Sequence, residues 1–212
     1  MNTSIDQTIN LYQKVGWKKF FSAWRFMVAP YEIVEKYIPK SGSIVELGCG
    51  EGIFSNYLGI SSKKRKIKAY EISNERIREA TRGVDNVKFI KSDVTRLKIP
   101  KSKIIVLFHL LHHLRNFNDQ EKLIANCYKS LVKGGKLVIV EIDIKFSLKY
   151  FIAWTFDHFI VPMVFERKIY SEVYFRKKSD WLVLLKKNNF KVKCFSAEEK
   201  MPFSHIIFTA VK

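Results

Sequence analysis

Short hydrophobic runs and stretches of helical periodicity alternate along the chain from Ser43 onward. The hydrophobic runs are rich in β-branched residues and predict strands at residues 43–47, 67–71, 87–91, 104–109 and 136–141. Helical patterns fill the intervals at residues 53–58, 74–82 and 119–131. Strands that alternate with helices are typical of a parallel sheet covered by helices on both faces. The pattern therefore predicts an α/β fold with a doubly wound sheet.

Local signals agree with this alternation and continue it to the end of the sequence. Asn74 can cap the second helix, with Glu75 in its first turn. Gly134 and Gly135 can stop the third helix just past its end. A further helix at residues 179–187 is followed by hydrophobic runs at 191–195 and 205–211, which resemble a terminal hairpin.

Two aromatic segments lie outside this alternation. Residues 9–37 carry four aromatic side chains at helical spacing, namely Trp17, Phe20, Phe21 and Trp24, and residues 146–175 are strongly aromatic. One interpretation is that these side chains pack in a core, which is the commoner use of such a pattern. The other is an amphipathic surface at a bilayer, with Trp and Phe inserted and Lys or Arg facing anionic headgroups.

Composition indicates a globular protein with a large positive charge. The chain has 212 residues, the size of one domain, and 38 Lys and Arg against 20 Asp and Glu give a net charge of +18. This charge favours an anionic neighbour such as a membrane surface, a nucleic acid or an acidic metabolite. The N-terminal residues lack the apolar core of a signal peptide, and no uninterrupted apolar run is long enough to predict a transmembrane helix.

Three cysteines, Cys49, Cys127 and Cys194, are widely spaced and form no CxxC pair. This spacing argues against a disulfide framework and against a structural zinc site, so we predict no metal. It also favours a reducing compartment, and we expect a cytoplasmic protein.

Three glycines at alternate positions join the first predicted strand to the first helix. The stretch reads VELGCGEG, with Gly48, Gly50 and Gly52. Glycine lets the backbone turn sharply and approach a ligand, while the helix N-terminus presents free N–H groups. Nicotinamide and flavin folds use GxGxxG to seat a pyrophosphate, but here the third glycine comes one residue early. The spacing therefore argues against a dinucleotide.

With this motif the sequence resembles the class I S-adenosylmethionine-dependent methyltransferases, in particular the small-molecule enzymes of methyltransferase types 11 and 12. The resemblance covers roughly residues 43–141, and LVKGGKLVI at residues 131–139 is similar to the family's LKPGG turn. It implies one domain over residues 1–212, with a Rossmann-like, seven-stranded sheet that is mostly parallel and has an antiparallel last strand. It also implies S-adenosylmethionine as cofactor and a substrate lid built from residues 1–40 (helical) and 146–178 (aromatic).

The same resemblance assigns cofactor-binding residues. Glu71 ends the second strand, where the family's acidic residue accepts hydrogen bonds from both ribose hydroxyls, and Ile72 follows it. Asp93 is expected to bind the adenine amino group and Val94 to pack on the ring. Further candidates are Glu46, which would support the loop near the methionine end of the cofactor, and the loop residues Gly48, Cys49, Gly50 and Gly52.

Three histidines, His109, His112 and His113, follow the fourth predicted strand within five residues. Open α/β sheets bind ligands at the carboxyl ends of their strands, and histidine can accept a proton near neutral pH. His112 and His113 match the family's LHHL pattern, and either is a candidate general base. His109 stands where many members carry Asp or Asn, and is a candidate for catalysis and for cofactor contact. Alternatively, the imidazoles cap the next helix or line the pocket without accepting a proton.

Together these features predict a methyltransferase acting on a hydrophobic small molecule, such as a lipid, quinone, polyketide or phenol, with possible contact to an anionic membrane surface as a peripheral protein. The alternative is an RNA or protein methyltransferase that uses the basic surface, and a non-catalytic binding module is a third reading. A nucleic-acid substrate is weakened because the Asp/Asn-Pro-Pro-aromatic motif is missing: no proline lies between Pro100 and Pro162.

Overall fold

The structure is a computed structural model and describes residues 3–12, 18–142, 173–197 and 204–212, with side chains omitted for residues 18–22. Its strands are β1 (Gly42–Leu47), β2 (Arg65–Glu71), β3 (Val87–Lys91), β4 (Ser102–Phe108), β5 (Leu131–Ile142), β6 (Lys191–Ser196) and β7 (His205–Val211). Its helices are α1 (Thr3–Leu11), α2 (Lys18–Val28), α3 (Tyr31–Glu35), α4 (Ile53–Ser61), α5 (Asn74–Ala80), α6 (Phe117–Ser130) and α7 (Lys178–Lys187), with a 3₁₀ turn at Leu111–His113.

The seven strands form one sheet in the order β3-β2-β1-β4-β5-β7-β6. Strands β1 to β5 pair in parallel, and β7 runs antiparallel to both β5 and β6. The predicted fold class is therefore confirmed. The strand order reverses direction at β1 and β4, and in such sheets the crevice at the carboxyl ends of these two strands is where ligands bind.

Successive side chains of the central strands point to opposite faces of the sheet, where they form two hydrophobic layers. One layer takes Val45, Ile105 and Leu107 and is covered by α6 and α7. The other takes Ile44, Ile104 and Val106 and is covered by α3 and α4. A fully buried aliphatic side chain contributes about 1.5–3 kcal/mol, so these layers hold the strand ends in fixed positions.

Two predicted signals at helix ends were wrong, namely the cap of α5 and the glycine stop of α6. Ser73, not Asn74, caps α5, because its hydroxyl accepts a hydrogen bond from the N–H of Arg76 at 3.3 Å. The helix α6 ends at Ser130 because Leu131 is already extended and pairs with Ser102. The two glycines at residues 134–135 therefore do not stop the helix. They lie inside β5, at the point where its register with β4 shifts.

The two predicted lid segments differ in how far the structure describes them. Residues 1–40 contain α1, α2 and α3, so the described part of this segment is helical. Of residues 146–178, the structure describes only 173–178, and most of the aromatic segment lies outside the described residues. Within the described part of the chain, no helix has both the length and the apolar character needed to cross a membrane.

Candidate functional site

The glycine loop between β1 and α4 has a left-handed backbone at each of its three glycines, with φ of 72° at Gly48, 55° at Gly50 and 72° at Gly52. A Cβ at Gly48 would lie 2.4 Å from Leu110, and one at Gly52 would lie 2.6 Å from Phe89. At Gly50 a Cβ would meet no heavy atom within 4 Å. Two glycines are thus required for packing, while the third leaves open space beside the backbone, as a closely approaching ligand needs.

The carboxylate of Glu71 ties this loop to the end of β2. Its Oε2 accepts the N–H of Gly50 at 3.0 Å, and its Oε1 accepts the N–H groups of Ile72 at 2.9 Å and Ser73 at 3.0 Å. The residue is 5% exposed. An ionised carboxylate has about four acceptor positions, so these three bonds leave one on Oε2. Beside it, Ile72 exposes 59% of its surface, which places an apolar face next to the carboxylate.

Glu46 lies beneath the loop, buried in β1, and accepts a hydrogen bond from the hydroxyl of Ser55 in α4. Burial raises the pKa of Glu46 to about 7, the bond from Ser55 opposes this rise, and the charge of Glu71 adds to it. Burial also raises the pKa of the Cys49 thiol well above its ordinary value. The loop therefore rests on a carboxyl group that titrates near neutrality, while its cysteine stays a thiol.

Asp93, the predicted adenine contact, follows β3 and is held in one orientation. Its Oδ1 accepts bonds from the N–H of Thr95 at 2.9 Å and from the hydroxyl of Thr95 at 2.6 Å, and Arg96 lies 3.8 Å from Oδ2. The hydroxyl bond from Thr95 is the main cause of the lowered pKa of Asp93. Val94 is buried and packs in the layer that contains Tyr70. The predicted roles of both residues stay predictions.

His109 follows β4 in a left-handed conformation, with φ of 50°, and its ring stacks on that of His205 at 4.9 Å between centroids. Burial, followed by the charges of His205 and Arg25, lowers the pKa of His109 well below its ordinary value. Its Nε2 is buried and has no hydrogen-bond partner among the described residues. His109 is therefore a neutral imidazole that presents one unsatisfied polar atom at the carboxyl edge of the sheet.

The structure separates the two candidate bases. His112 is buried, and its Nδ1 lies 2.5 Å from Oε2 of Glu141, whose Oε1 accepts the N–H of Leu111 at 2.9 Å. The ring of Phe175 stacks on the imidazole at 4.9 Å. The contact with Glu141 fixes the orientation of the imidazole, with Nε2 on the side of the ring away from this carboxyl group. His113, by contrast, is exposed.

Three contributors to this site were missed from the sequence. Glu141 is the last residue of a predicted strand, and this position at a carboxyl end was the one sequence signal for it. Its neighbour Val140 is in register with Phe108 of β4, which brings Glu141 close to the histidines after β4. His205 reaches His109 only through the antiparallel pairing of β7 with β5, which no short motif indicates. The hydroxyl of Tyr12 donates to the carbonyl of Glu51 in the glycine loop at 2.7 Å.

The described residues contain no group of three or more His, Cys, Asp or Glu side chains arranged to hold a metal ion.

A family model described as a methyltransferase domain matches residues 22–194 of this chain. A curated relative from Arabidopsis thaliana, indole glucosinolate O-methyltransferase 5, is 27% identical over 125 residues, which cover 58% of this chain and 34% of the relative. Carboxy-S-adenosyl-L-methionine synthase from Shewanella pealeana is 26% identical over 118 residues, covering 52% of this chain and 48% of that protein. The matches thus span less than half the length of these relatives.

Solved structures share the fold. Magnesium protoporphyrin IX methyltransferase from Synechocystis PCC 6803, with bound SAH, superposes with a TM-score of 0.66 at 15% identity, covering 100% of this chain and 95% of that one. At this identity the likeness concerns the fold alone.

Proposed function

The chain belongs to the methyltransferase domain family, and from this premise we propose that it transfers the methyl group of S-adenosylmethionine to a hydrophobic small molecule, such as a lipid, quinone, polyketide or phenol. The observation that carries the proposal is the packing of Leu110 against Gly48. Leu110 lies between His109 and His112, so this contact brings the two histidines near the glycine loop and supports a proton acceptor and a cofactor site at one edge of the sheet.

The residues present fit the cofactor. Open space at Gly50 allows close approach, and Glu71 keeps an acceptor position beside the exposed Ile72. Glu71 would hold the ribose, Asp93 the adenine, and Glu46 would lie toward the amino-acid end. When bound, S-adenosylmethionine supplies a methyl group activated by its sulfonium sulfur, so the protein's task is alignment and proton removal.

We assign proton removal to His112. Glu141 accepts its Nδ1–H, which fixes the tautomer and orients the ring, and leaves Nε2 as the basic atom. The proton of the acceptor's hydroxyl would pass to Nε2 as the oxygen takes up the methyl group, and Glu141 would stabilise the imidazolium that results. His113 is exposed, and the carboxylate of Glu141 contacts His112 instead.

A hydrophobic acceptor is supported by the surroundings of His109. Tyr31 stacks on Phe54 at 5.1 Å, and its ring lies 5.0 Å from that of Phe108, the residue before His109. These three rings are buried in the layer covered by α3 and α4, so the ground beside the neutral imidazole is apolar and would suit an apolar or aromatic acceptor. The relative named as an indole glucosinolate O-methyltransferase also acts, by its name, on a small molecule.

The test is methyl transfer from radiolabelled S-adenosylmethionine by the full chain. Phenols, quinols, a lipid extract, total RNA and total protein are offered in parallel, and we expect label in the organic-soluble products. Label confined to RNA or protein would refute the acceptor class. His112→Gln should lose transfer while it keeps cofactor affinity, and His113→Gln is the matched control that should retain both.

The proposal includes delivery of the acceptor from an anionic membrane surface. It is supported by the net charge of +18 and by the aromatic sequence of residues 146–175. Sedimentation with anionic vesicles at low salt should carry the protein into the pellet. Recovery of all protein in the supernatant would remove the membrane part and leave the methyl transfer unaffected.

A further inference from the structure

A cleft of about 540 Å³ lies at the amino-terminal end of the sheet, opposite the edge that carries the glycine loop. It forms because residues 92–101, which connect β3 to β4, cross this face as irregular chain and cover mainly its carboxyl half. There Val94 and Ile99 are buried near Tyr70. The first residues of β1, β2 and β3 stay uncovered on the same face.

Lysines occupy this uncovered face. The cleft is lined by Lys63, Lys66, Lys68, Lys88 and Lys101, and Asp85 is the one acidic residue in this lining of described residues. Lys66, Lys68 and the buried Tyr70 share one face of β2, because side chains alternate along a strand. A helix packed on this face would require apolar side chains at these positions of β2. They are lysines here. Among the lining cations, Arg65 is already paired with Glu35 at 2.8 Å, and Nζ of Lys101 donates to the carbonyl of Lys129 at 2.7 Å.

The spacing of these charges is close and fixed by the sheet. Lys68 is the register partner of Lys88 on the neighbouring strand, which puts their backbones about 4.8 Å apart, and Lys66 lies about 7 Å along β2. Like charges directly opposite one another repel, so a bound polyanion would relieve the repulsion. In the described structure the ion pairs of this region use Glu35, and none joins Lys66, Lys68 or Lys88 to a carboxylate.

The shape of the cleft and the side chains that line it favour one class of anionic partner over others. The three aliphatic residues of the cleft, Ile44, Val45 and Ile67, are at most 2% exposed and form its floor, so the cleft offers no large aliphatic or aromatic side chain for insertion into a bilayer. The lining contains no aromatic side chain on which an unpaired base could stack, as single-strand sites use. A concave row of lysines fits the phosphates of a duplex, which carry about one charge per 1.7 Å of helix axis.

We propose that this lysine cleft, defined by Lys63, Lys66, Lys68, Lys88 and Lys101, binds the phosphate backbone of a nucleic-acid duplex without reading its sequence. Lys66 and Lys68 lie three to five residues before Glu71 on β2, about 10–17 Å along the strand. The cleft is therefore separate from the cofactor edge of the sheet, and the proposal concerns docking of the duplex and not its methylation. The inference does not depend on the proposed methyl transfer, and either can fail alone.

The experiment measures binding of the full chain to a fluorescent 20-base-pair RNA duplex by anisotropy across a series of salt concentrations. Each phosphate neutralised contributes about 0.9 to the slope of log affinity against log salt. The triple variant K66Q/K68Q/K88Q should reduce that slope by about 2–3 and weaken binding about tenfold or more near 0.1 M salt. The matched control K122Q/K186Q/K193Q removes the same charge from exposed lysines outside the cleft and should change the slope by less than 1.

Both triples must keep the thermal transition and the calorimetric affinity for S-adenosylmethionine of the original chain, which shows that the fold is intact. Equal losses in the two triples would overturn the proposal, because binding would then follow total charge and not the cleft. Equal or tighter binding of the single strand would overturn the duplex assignment. Binding to anionic vesicles that only K66Q/K68Q/K88Q abolishes, with duplex binding unchanged, would make the cleft a membrane site and also refute it.

Discussion

Replacing Glu141 with glutamine changes one atom of the buried pair with His112 and removes its charge. In the original chain, Glu141 accepts two hydrogen bonds, one from His112 Nδ1 at 2.5 Å and one from the N–H of Leu111 at 2.9 Å. Glutamine has a single acceptor oxygen. If that oxygen stays on Leu111, the amide NH₂ faces Nδ1 and donates to it, which moves the imidazole proton to Nε2. The basic atom of His112 is then blocked.

The expected cost follows from the loss of the base. A positioned general base contributes about 10²–10⁴ in rate, equivalent to about 3–5 kcal/mol of the activation barrier. The opposite amide orientation would set NH₂ against the N–H of Leu111 and leave a buried donor unsatisfied, at about 1–3 kcal/mol of stability. We therefore predict that Glu141→Gln lowers kcat by about 10²–10⁴ and lowers the free energy of unfolding by no more than a few kcal/mol.

The assay is single-turnover transfer of labelled methyl to whichever acceptor the original chain uses, with cofactor affinity measured by calorimetry. Nitrogen NMR of labelled histidine reads the tautomer directly: His112 should carry its proton on Nδ1 in the original chain and on Nε2 in the variant. Glu121→Gln, which removes the half-buried ion pair with Arg176, is the control and should leave kcat unchanged. Undiminished turnover in Glu141→Gln, or a loss that arises entirely from weaker cofactor binding, would refute the reasoning.

Three further predictions concern the glycine loop and its carboxylates. Glu71→Gln should weaken S-adenosylmethionine binding about 5–150-fold by calorimetry, because one charged acceptor in a buried site contributes about 1–3 kcal/mol. Glu46 has a pKa of about 7 when folded, against an ordinary 4.5, so the folded state holds more protons between these values and stability falls as pH rises through that window. Glu46→Gln should remove up to about 3 kcal/mol of this loss, and urea unfolding at pH 5 and pH 8 measures it. Gly52→Ala should cost about 2–4 kcal/mol of stability because its Cβ would lie 2.6 Å from Phe89, whereas Gly50→Ala should cost about 1 kcal/mol and chiefly impair cofactor binding.

Each of these has a contrary result. Unchanged calorimetric affinity in Glu71→Gln would mean that this carboxylate only organises the loop. A pH slope in Glu46→Gln equal to that of the original chain would show that another group is responsible. Equal stability of Gly52→Ala and Gly50→Ala in urea would contradict the packing argument. Full cofactor affinity in Gly50→Ala would contradict the claim that the cofactor approaches the backbone at this glycine.

The sheet and the loop were predictable because their signals are local. Alternation of strand and helix patterns indicates a parallel sheet, and alternate glycines after a strand indicate a backbone that a ligand can approach. The number of strands and the antiparallel last strand came from the family resemblance, and the order of the strands was not predicted. The ends of helices were harder to predict from the sequence. The cap at Ser73 depends on side-chain geometry, and the end of α6 at Ser130 depends on the pairing of β5 with β4.

The inner part of the site was not predictable, because it is assembled by contacts between distant residues. His112 and His113 are adjacent and chemically identical in the sequence, and only the burial of one against Glu141 distinguishes them. His205 stacks on His109 through sheet register, and Tyr12 bonds the glycine loop across 39 residues. No periodicity or motif within one element encodes such pairs.

A crystal structure with S-adenosylhomocysteine bound tests the central claim most directly. The account predicts that the nucleoside lies at the carboxyl ends of β1 and β2, with one ribose hydroxyl bonded to Oε2 of Glu71, its adenine beside Asp93 and its sulfur on the side of His112. Saturating ligand that leaves this crevice empty, or that binds at another place in the chain, would contradict it.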